Sequence, residues 1–173
     1  MKSNPKTSYD KREVLSFCVH HPTLPRRLPA PPLLMFDRIT EIHSDGGKHG
    51  CGWIAAEKDV LIDEWFFFAH FEGDPVMPGV LEVDAILQLT GFFLHHVGLA
   101  GYGRALRTGK TIFREQVRPH HKLVSYRIDL RKITARPTPL AFAEGVALVD
   151  GEVSAEVEGI MVGLFPDLKY TYP

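Results

Sequence analysis

Between His70 and Asp84 the chain places three groups suited to moving protons. His70 heads the run His70-Phe-Glu-Gly-Asp-Pro-Val-Met-Pro-Gly79, and a histidine titrates near about 6.5, so it can take or give a proton at neutral pH. Pro75 and Pro78 fix backbone angles, while Gly73 and Gly79 allow close backbone approach, so the loop is stiff enough to position something. Pro78-Gly79 also suits the start of a helix, where unpaired N–H groups and roughly +0.5 of effective charge attract an anion. The same residues would serve a simple tight turn. Asp84 falls among Leu81, Val83, Ala85 and Leu87. A carboxylate in such company must be partnered, protonated or open to a polar cavity, and burial would raise its pKa and fit it to act as an acid. Gln88, four residues on, lies on the same helical face and is placed to orient it by a hydrogen bond. Glu82 points about 200° around the helix from Asp84. The two are therefore not a paired-carboxylate site, and Glu82 is expected to be partly exposed or salt-bridged.

The elements that must hold these groups follow from periodicity. Gly79 to Val97 is apolar in nearly every direction, which marks a buried helix of about 28 Å. Before it, Ser8 to Phe17 reads as a short helix capped by Ser8 or Asp10. Residues 21–32, with Pro22, Pro25, Pro29, Pro31 and Pro32, form an extended arm expected to lie over the domain surface. Ile39–Ile42 reads as a weak strand or turn, and Lys48–Lys58 as a strand. Trp65-Phe-Phe-Phe-Ala69 is short for a helix; Phe66 to Phe68 either fill the core or line an apolar tunnel. After Gly98, Gly101 and Gly103 the pattern turns to strands. These are Arg104–Val117 with a turn near Gly109, an alternating run from Val124 to Arg131, and a hairpin of 141–149 and 152–162 joined at Asp150-Gly151. The expectation is a single α+β domain spanning 1–173, in which at least four consecutive strands form an antiparallel meander and the sheet curls around one central helix. Uncovered sheet edges and a bare helix flank favour a dimer.

Composition narrows the function. Twenty basic and 21 acidic side chains nearly cancel, so no net field invites nucleic acid or an anionic membrane. Cys18 and Cys51 are too few for a disulfide framework or a cysteine-based zinc site. The polar N-terminus lacks the apolar core of a signal peptide, so a cytoplasmic location is expected. Charges within Gly79–Val97 argue against a membrane span. The nine histidines include the doublets His20-His21, His95-His96 and His120-His121, whose members diverge too far to chelate one metal, so no metal site is expected.

At these residues the sequence resembles the 3-hydroxydecanoyl-acyl-carrier-protein dehydratase/isomerase family, a hot-dog fold. The likeness runs through Leu28-Pro-Ala-Pro31, Met35-Phe-Asp-Arg38, Trp65-Phe-Phe67, His70-Phe71, Gly73-Asp-Pro-Val-Met-Pro-Gly79, Asp84, Gln88-Leu89, Gly91-Phe92, Gly103-Arg-Ala-Leu106 and Val162-Gly-Leu-Phe165. It implies that His70 and Asp84 form the catalytic pair, with Asp84 supplied by the other subunit of a homodimer. It also implies that the Gly79 N–H binds a thioester oxygen, that Gln88 and Val76 orient the pair, and that Phe71, Val80 and Phe92 line a substrate tunnel. The implied reaction is dehydration of a (3R)-3-hydroxyacyl chain on acyl carrier protein to a trans-2-enoyl thioester in fatty-acid biosynthesis, with no cofactor.

The sequence departs from the family pattern at Ala69, Val80, Glu82 and Arg114-Glu115. These positions leave dehydration in place and leave open both trans-2 to cis-3 isomerisation and chain length. Two other readings remain open at this level, a non-catalytic acyl-binding hot-dog subunit and a hot-dog acyl thioesterase. Arg104, Arg107, Lys110, Arg114, Arg131, Lys132 and Arg136 are candidates by charge for meeting an acidic carrier protein.

Overall fold

The computed structural model describes residues 6–19 and 28–166. The first part of the proline-rich arm, residues 20–27 with His20-His21, Pro22 and Pro25, lies outside the described residues.

Helix α1 (Lys11–Ser16) starts at Asp10 rather than Ser8. The Asp10 carboxylate accepts the Glu13 N–H at 2.9 Å, and the Glu13 carboxylate accepts the Asp10 N–H at 3.1 Å. This reciprocal cap satisfies two backbone donors that a helix start leaves unpaired. Just before it, Tyr9 and Ile39 exchange backbone hydrogen bonds of 2.9 Å, which tie the N-terminal segment to β1 (Arg38–His43).

The remaining elements are β2 (Trp53–Asp59), α2 (Trp65–Ala69), α3 (Gly79–His96), β3 (Tyr102–Arg107), β4 (Thr111–Phe113), β5 (Leu123–Thr134), β6 (Leu140–Val149) and β7 (Glu152–Phe165). They form one antiparallel sheet in the order β1-β2-β5-β6-β7-β3, with β4 also on β7. Helix α3 packs against β2, β3, β5, β6 and β7. A single helix about 10 Å wide reaches five strands only if the sheet wraps it, which is the hot-dog arrangement. The helix comes close enough at Gly145 of β6 that an added Cβ would sit 2.6 Å from Ile86 Cγ2.

Three expectations change. The strand expected over 48–58 begins only at Trp53. Gly46, Gly47, Gly50 and Gly52 all take positive φ, a conformation that folds the chain into a loop instead of a ladder. The meander of four consecutive strands is one of three, β5-β6-β7, because β3 and β4 lie on the far side of β7. Residues 114–122 carry the chain back across the molecule, where Val117 O accepts the Met77 N–H and Lys122 O accepts the Val60 N–H, each at 2.9 Å. Finally, α3 is not covered all round. Ala85, Ile86, Leu89, Phe92 and Phe93 are buried, but Val83, Asp84 and Leu87 are only half-buried and Val80 is 65% exposed. Positions 80, 83, 84 and 87 form one stripe of the helix.

The expected hairpin turn is present: Asp150 and Gly151 have φ of 47° and 95°. The Asp150 carboxylate also accepts the N–H groups of Lys122 and Leu123 at 3.0 and 2.9 Å, so the turn fastens the start of β5.

Candidate active site

Helix α2 exists because its aromatic run has an inward side. Phe66 and Phe67 are 1% and 6% exposed, whereas Phe68 is 76% exposed. The first two are core residues, and burial of two aromatics fixes a helix too short to be stable alone. The His70 N–H closes this helix on Phe66 O at 2.9 Å.

Beyond it the loop is bound at every step. Phe71 and Asp74 exchange backbone hydrogen bonds of 3.0 Å, with Gly73 at φ 76° between them, and Val76 N–H donates to His70 O at 2.8 Å. Arg118 ion-pairs with Asp74 from outside. Within this frame the His70 Nδ1 lies 3.0 Å from Val76 O. A carbonyl only accepts, so the proton is on Nδ1, and Nε2 carries the lone pair of a general base. The Phe71 ring, 55% exposed, lies against the imidazole at 3.8 Å between centroids.

Gly79 is the first residue of α3, after Pro78, and no side chain caps this end. The Phe113 ring of β4 lies over it so closely that a Cβ would meet Phe113 Cδ1 and Cε1 at 2.7 Å. Only glycine leaves both the ring in place and the N–H approachable.

Asp84 opens into a cleft of about 400 Å³ lined by Leu87, Gln88, Tyr102, Arg104 and Val162 among others. The Gln88 side chain donates to Asp84 Oδ2 at 2.6 Å and to Leu33 O at 2.8 Å, and its oxygen accepts the Met35 N–H at 3.2 Å. Gln88 thus holds the carboxyl and the segment that follows the arm in one clamp. Burial raises the Asp84 pKa, and the hydrogen bond from Gln88 acts against that rise.

Within one chain these groups form two separate assemblies. His70, Val76, Phe71 and Gly79 surround the loop and the helix start, while Asp84 and Gln88 sit on the open stripe and its cleft, to which His70 contributes nothing. Val80 belongs to that stripe and is exposed. Phe92 is 1% exposed and packs on Tyr9 and Phe17 at 5.3 and 5.0 Å, inside the core rather than along the cleft. Glu82 corrects its expectation: it is 1% exposed and accepts a hydrogen bond from Ser154 Oγ, with no ion pair among the described residues. Burial pushes its pKa up to about 7. Of the basic candidates, Arg104 borders the cleft, whereas Arg114 and Arg131 are engaged with Glu156 and Glu144. Sequence reasoning missed Phe113 and Arg118, whose parts depend on contacts distant in the chain. Among the described residues no group of three or more His, Cys, Asp or Glu is placed to hold a metal ion, and no helix is long and apolar enough to cross a membrane.

Residues 28–158 match the family described as a FabA-like domain. The chain belongs to the FabA-like domain family. Among solved structures this FabA-like domain is similar to the dehydratase heterocomplex ApeI:P from Xenorhabdus doucetiae, at 12% identity and a TM-score of 0.62 over 82% of this chain and 90% of that one. It is also similar to a hypothetical thioesterase with coenzyme A from Streptococcus pneumoniae TIGR4, at 9% identity and a TM-score of 0.51 over 75% of this chain and 85% of that one. At these identities the likeness is one of fold.

Proposed function

We propose that this FabA-like domain is a dehydratase that removes water from (3R)-3-hydroxyacyl thioesters carried on acyl carrier protein, and that it does so as a homodimer. The observation that carries the reading is the division of the site. A histidine with its Nδ1 proton fixed on Val76 O lies in the loop that runs into an uncapped helix start, and a carboxyl with a raised pKa stands on a stripe of α3 that its own sheet leaves uncovered. A second copy facing that stripe brings Asp84 to the His70 and Gly79 of its partner.

In the reaction the Gly79 N–H holds the thioester oxygen, which acidifies C2. His70 Nε2 takes the C2 proton, the C2–C3 double bond forms as the C3–O bond breaks, and the neutral Asp84 carboxyl gives its proton to the departing hydroxyl, which leaves as water. The pair ends as imidazolium and carboxylate, and return of a proton from the first to the second restores it. Burial favours the protonated form of the Asp84 carboxyl, which suits that donation, and the clamp by Gln88 keeps it aimed.

The test combines product analysis with subunit mixing. Incubation with a chain-length series of 3-hydroxyacyl thioesters, read by mass spectrometry, should show loss of water; release of free thiol instead would identify a thioesterase, and binding without conversion an acyl-binding subunit. His70→Ala and Asp84→Asn should each be inactive as homodimers. Coexpressed, they should recover about a quarter of wild-type activity, because half the dimers are mixed and each mixed dimer has one intact site. No recovery in demonstrably mixed dimers would place both groups in one chain's site and overturn the shared-site reading.

A further inference from the structure

Glu82 is the only buried acidic side chain among the described residues, and the proposed reaction does not use it. It lies in the first turn of α3, three residues after Gly79. Its surroundings are built rather than incidental. On β7, the register against β6 slips between the pairs Ala147–Ala155 and Leu148–Val153, so Ser154 is the extra residue of a β-bulge. Ser154 and Ala155 are consequently both buried in succession, and the Ser154 hydroxyl is turned onto the Glu82 carboxyl. Bulges commonly re-aim a side chain in this way. The bulge is held in turn by the Arg114 N–H, which donates to Ser154 O at 2.8 Å.

On β5, Tyr126 is 1% exposed, its hydroxyl has no hydrogen-bond partner among the described residues, and the charge of Glu82 acts on it. Just after β4, Arg114 is committed to Glu156. Asp84 on α3 itself opens into the cleft. Among the described residues no cationic side chain acts on Glu82, and its neutral form is favoured by burial, against which the Ser154 hydrogen bond works.

We propose that Glu82 is a positioning residue for the anion site at the start of α3: neutral, it leaves the partial positive charge of the Gly79 turn to the thioester oxygen, and ionised, it offsets that charge and weakens the hold. The inference rests on the dehydratase reading for its consequence in catalysis. Three residues of helix at 1.5 Å each, plus the side chain, put the carboxylate about 8 Å from an oxygen at Gly79. Like charges at that separation, at an effective dielectric of about 20, repel enough to slow a reaction roughly 10- to 30-fold.

Two measurements on the folded full-length protein test this. With selectively ¹⁵N-labelled glycine, the Gly79 amide shift should titrate with a midpoint near 7 in the wild type, lose that transition in Glu82→Gln, and show a higher midpoint in Ser154→Ala, since the lost hydrogen bond favoured ionisation. The dehydration rate should carry an alkaline decline of roughly 10- to 30-fold over the same range. That decline should vanish in Glu82→Gln and move up in pH in Ser154→Ala, while any decline from Asp84 stays in both variants. A Gly79 titration that persists in Glu82→Gln, or a rate profile identical in all three proteins, would overturn the proposal. Wild-type protein that dehydrates no 3-hydroxyacyl thioester would refute the dehydratase reading, and the amide titration would still decide whether Glu82 controls the helix start.

Discussion

The fold resists ionising Glu82, and that resistance has a measurable signature in stability. In the unfolded chain a glutamate titrates near 4.5, and in the fold burial raises this one to about 7. Between those values the native protein keeps a proton that the unfolded chain has lost, so stability falls as pH rises through the window and levels off above about 7. Each pH unit of displacement is worth about 1.4 kcal/mol, which makes the total roughly 3 kcal/mol. Glu82→Gln keeps the shape and the acceptor for Ser154 but cannot ionise. Its amide carries a fixed cost at every pH, so the informative quantity is how the difference in Tm between variant and wild type changes with pH. For a chain of this size, about 2–4 °C per kcal/mol predicts that Glu82→Gln gains about 6–12 °C on the wild type between pH 4.5 and pH 8. Calorimetric scans of both proteins across that range measure it, and every group they share cancels in the difference. A difference in Tm that stays constant with pH would show that Glu82 ionises freely in the fold and would refute the reasoning.

Gln88→Leu strands Leu33 O, the Met35 N–H and Asp84 Oδ2; it should cost roughly 2–4 kcal/mol in a urea unfolding midpoint and push the Asp84 pKa higher, and an unchanged midpoint would show that the clamp is unimportant. Gly145→Ala drives a methyl to 2.6 Å from Ile86 Cγ2, so about 1–3 kcal/mol of destabilisation is expected by thermal unfolding, whereas none would mean that α3 slides on the sheet at little cost. Arg118→Ala frees Asp74 on a partly exposed surface; it should leave stability within about 1 kcal/mol while lowering kcat and speeding amide exchange at Val76 and Met77, and an unaltered kcat would show that the loop holds His70 without it.

The parts of this molecule that were legible in its sequence are those whose cause is local. Asp150-Gly151 needs two positive φ angles and has the residues for them; Gly79–His96 is apolar enough to be a central helix; Gln88 and Asp84 are four apart and so share a face. The misread parts are decided by partners far along the chain. Glu82 reads as partly exposed or salt-bridged because it points about 200° away from Asp84 and has no partner on its own helix, yet a bulge some seventy residues later provides Ser154 to receive it. Lys48–Gly52 has strand-compatible neighbours, but its glycines at positive φ and the Asp129 carboxylate that accepts the Lys48 N–H at 2.8 Å make it a loop. The order of β3 and β4 beyond β7 cannot be obtained from periodicity, since alternation gives a strand's inward face and says nothing about its neighbour.

The two half-sites also differ in what holds them, and the difference matters for the proposed chemistry. His70 is on a loop fixed by main-chain hydrogen bonds, a proton-dependent ring held by a group that does not titrate. Asp84 is on the long central helix, but it is only half-buried and its cleft is open. A second copy laid over Val80, Val83, Asp84 and Leu87 would remove water from that stripe, and desolvation disfavors the charged carboxylate. Assembly would therefore push the Asp84 pKa in the direction in which burial by its own chain has already begun to move it. On the proposed reading, the step that brings Asp84 to His70 also favours its protonated form. A separated chain would be left with a base and an acid that do not meet.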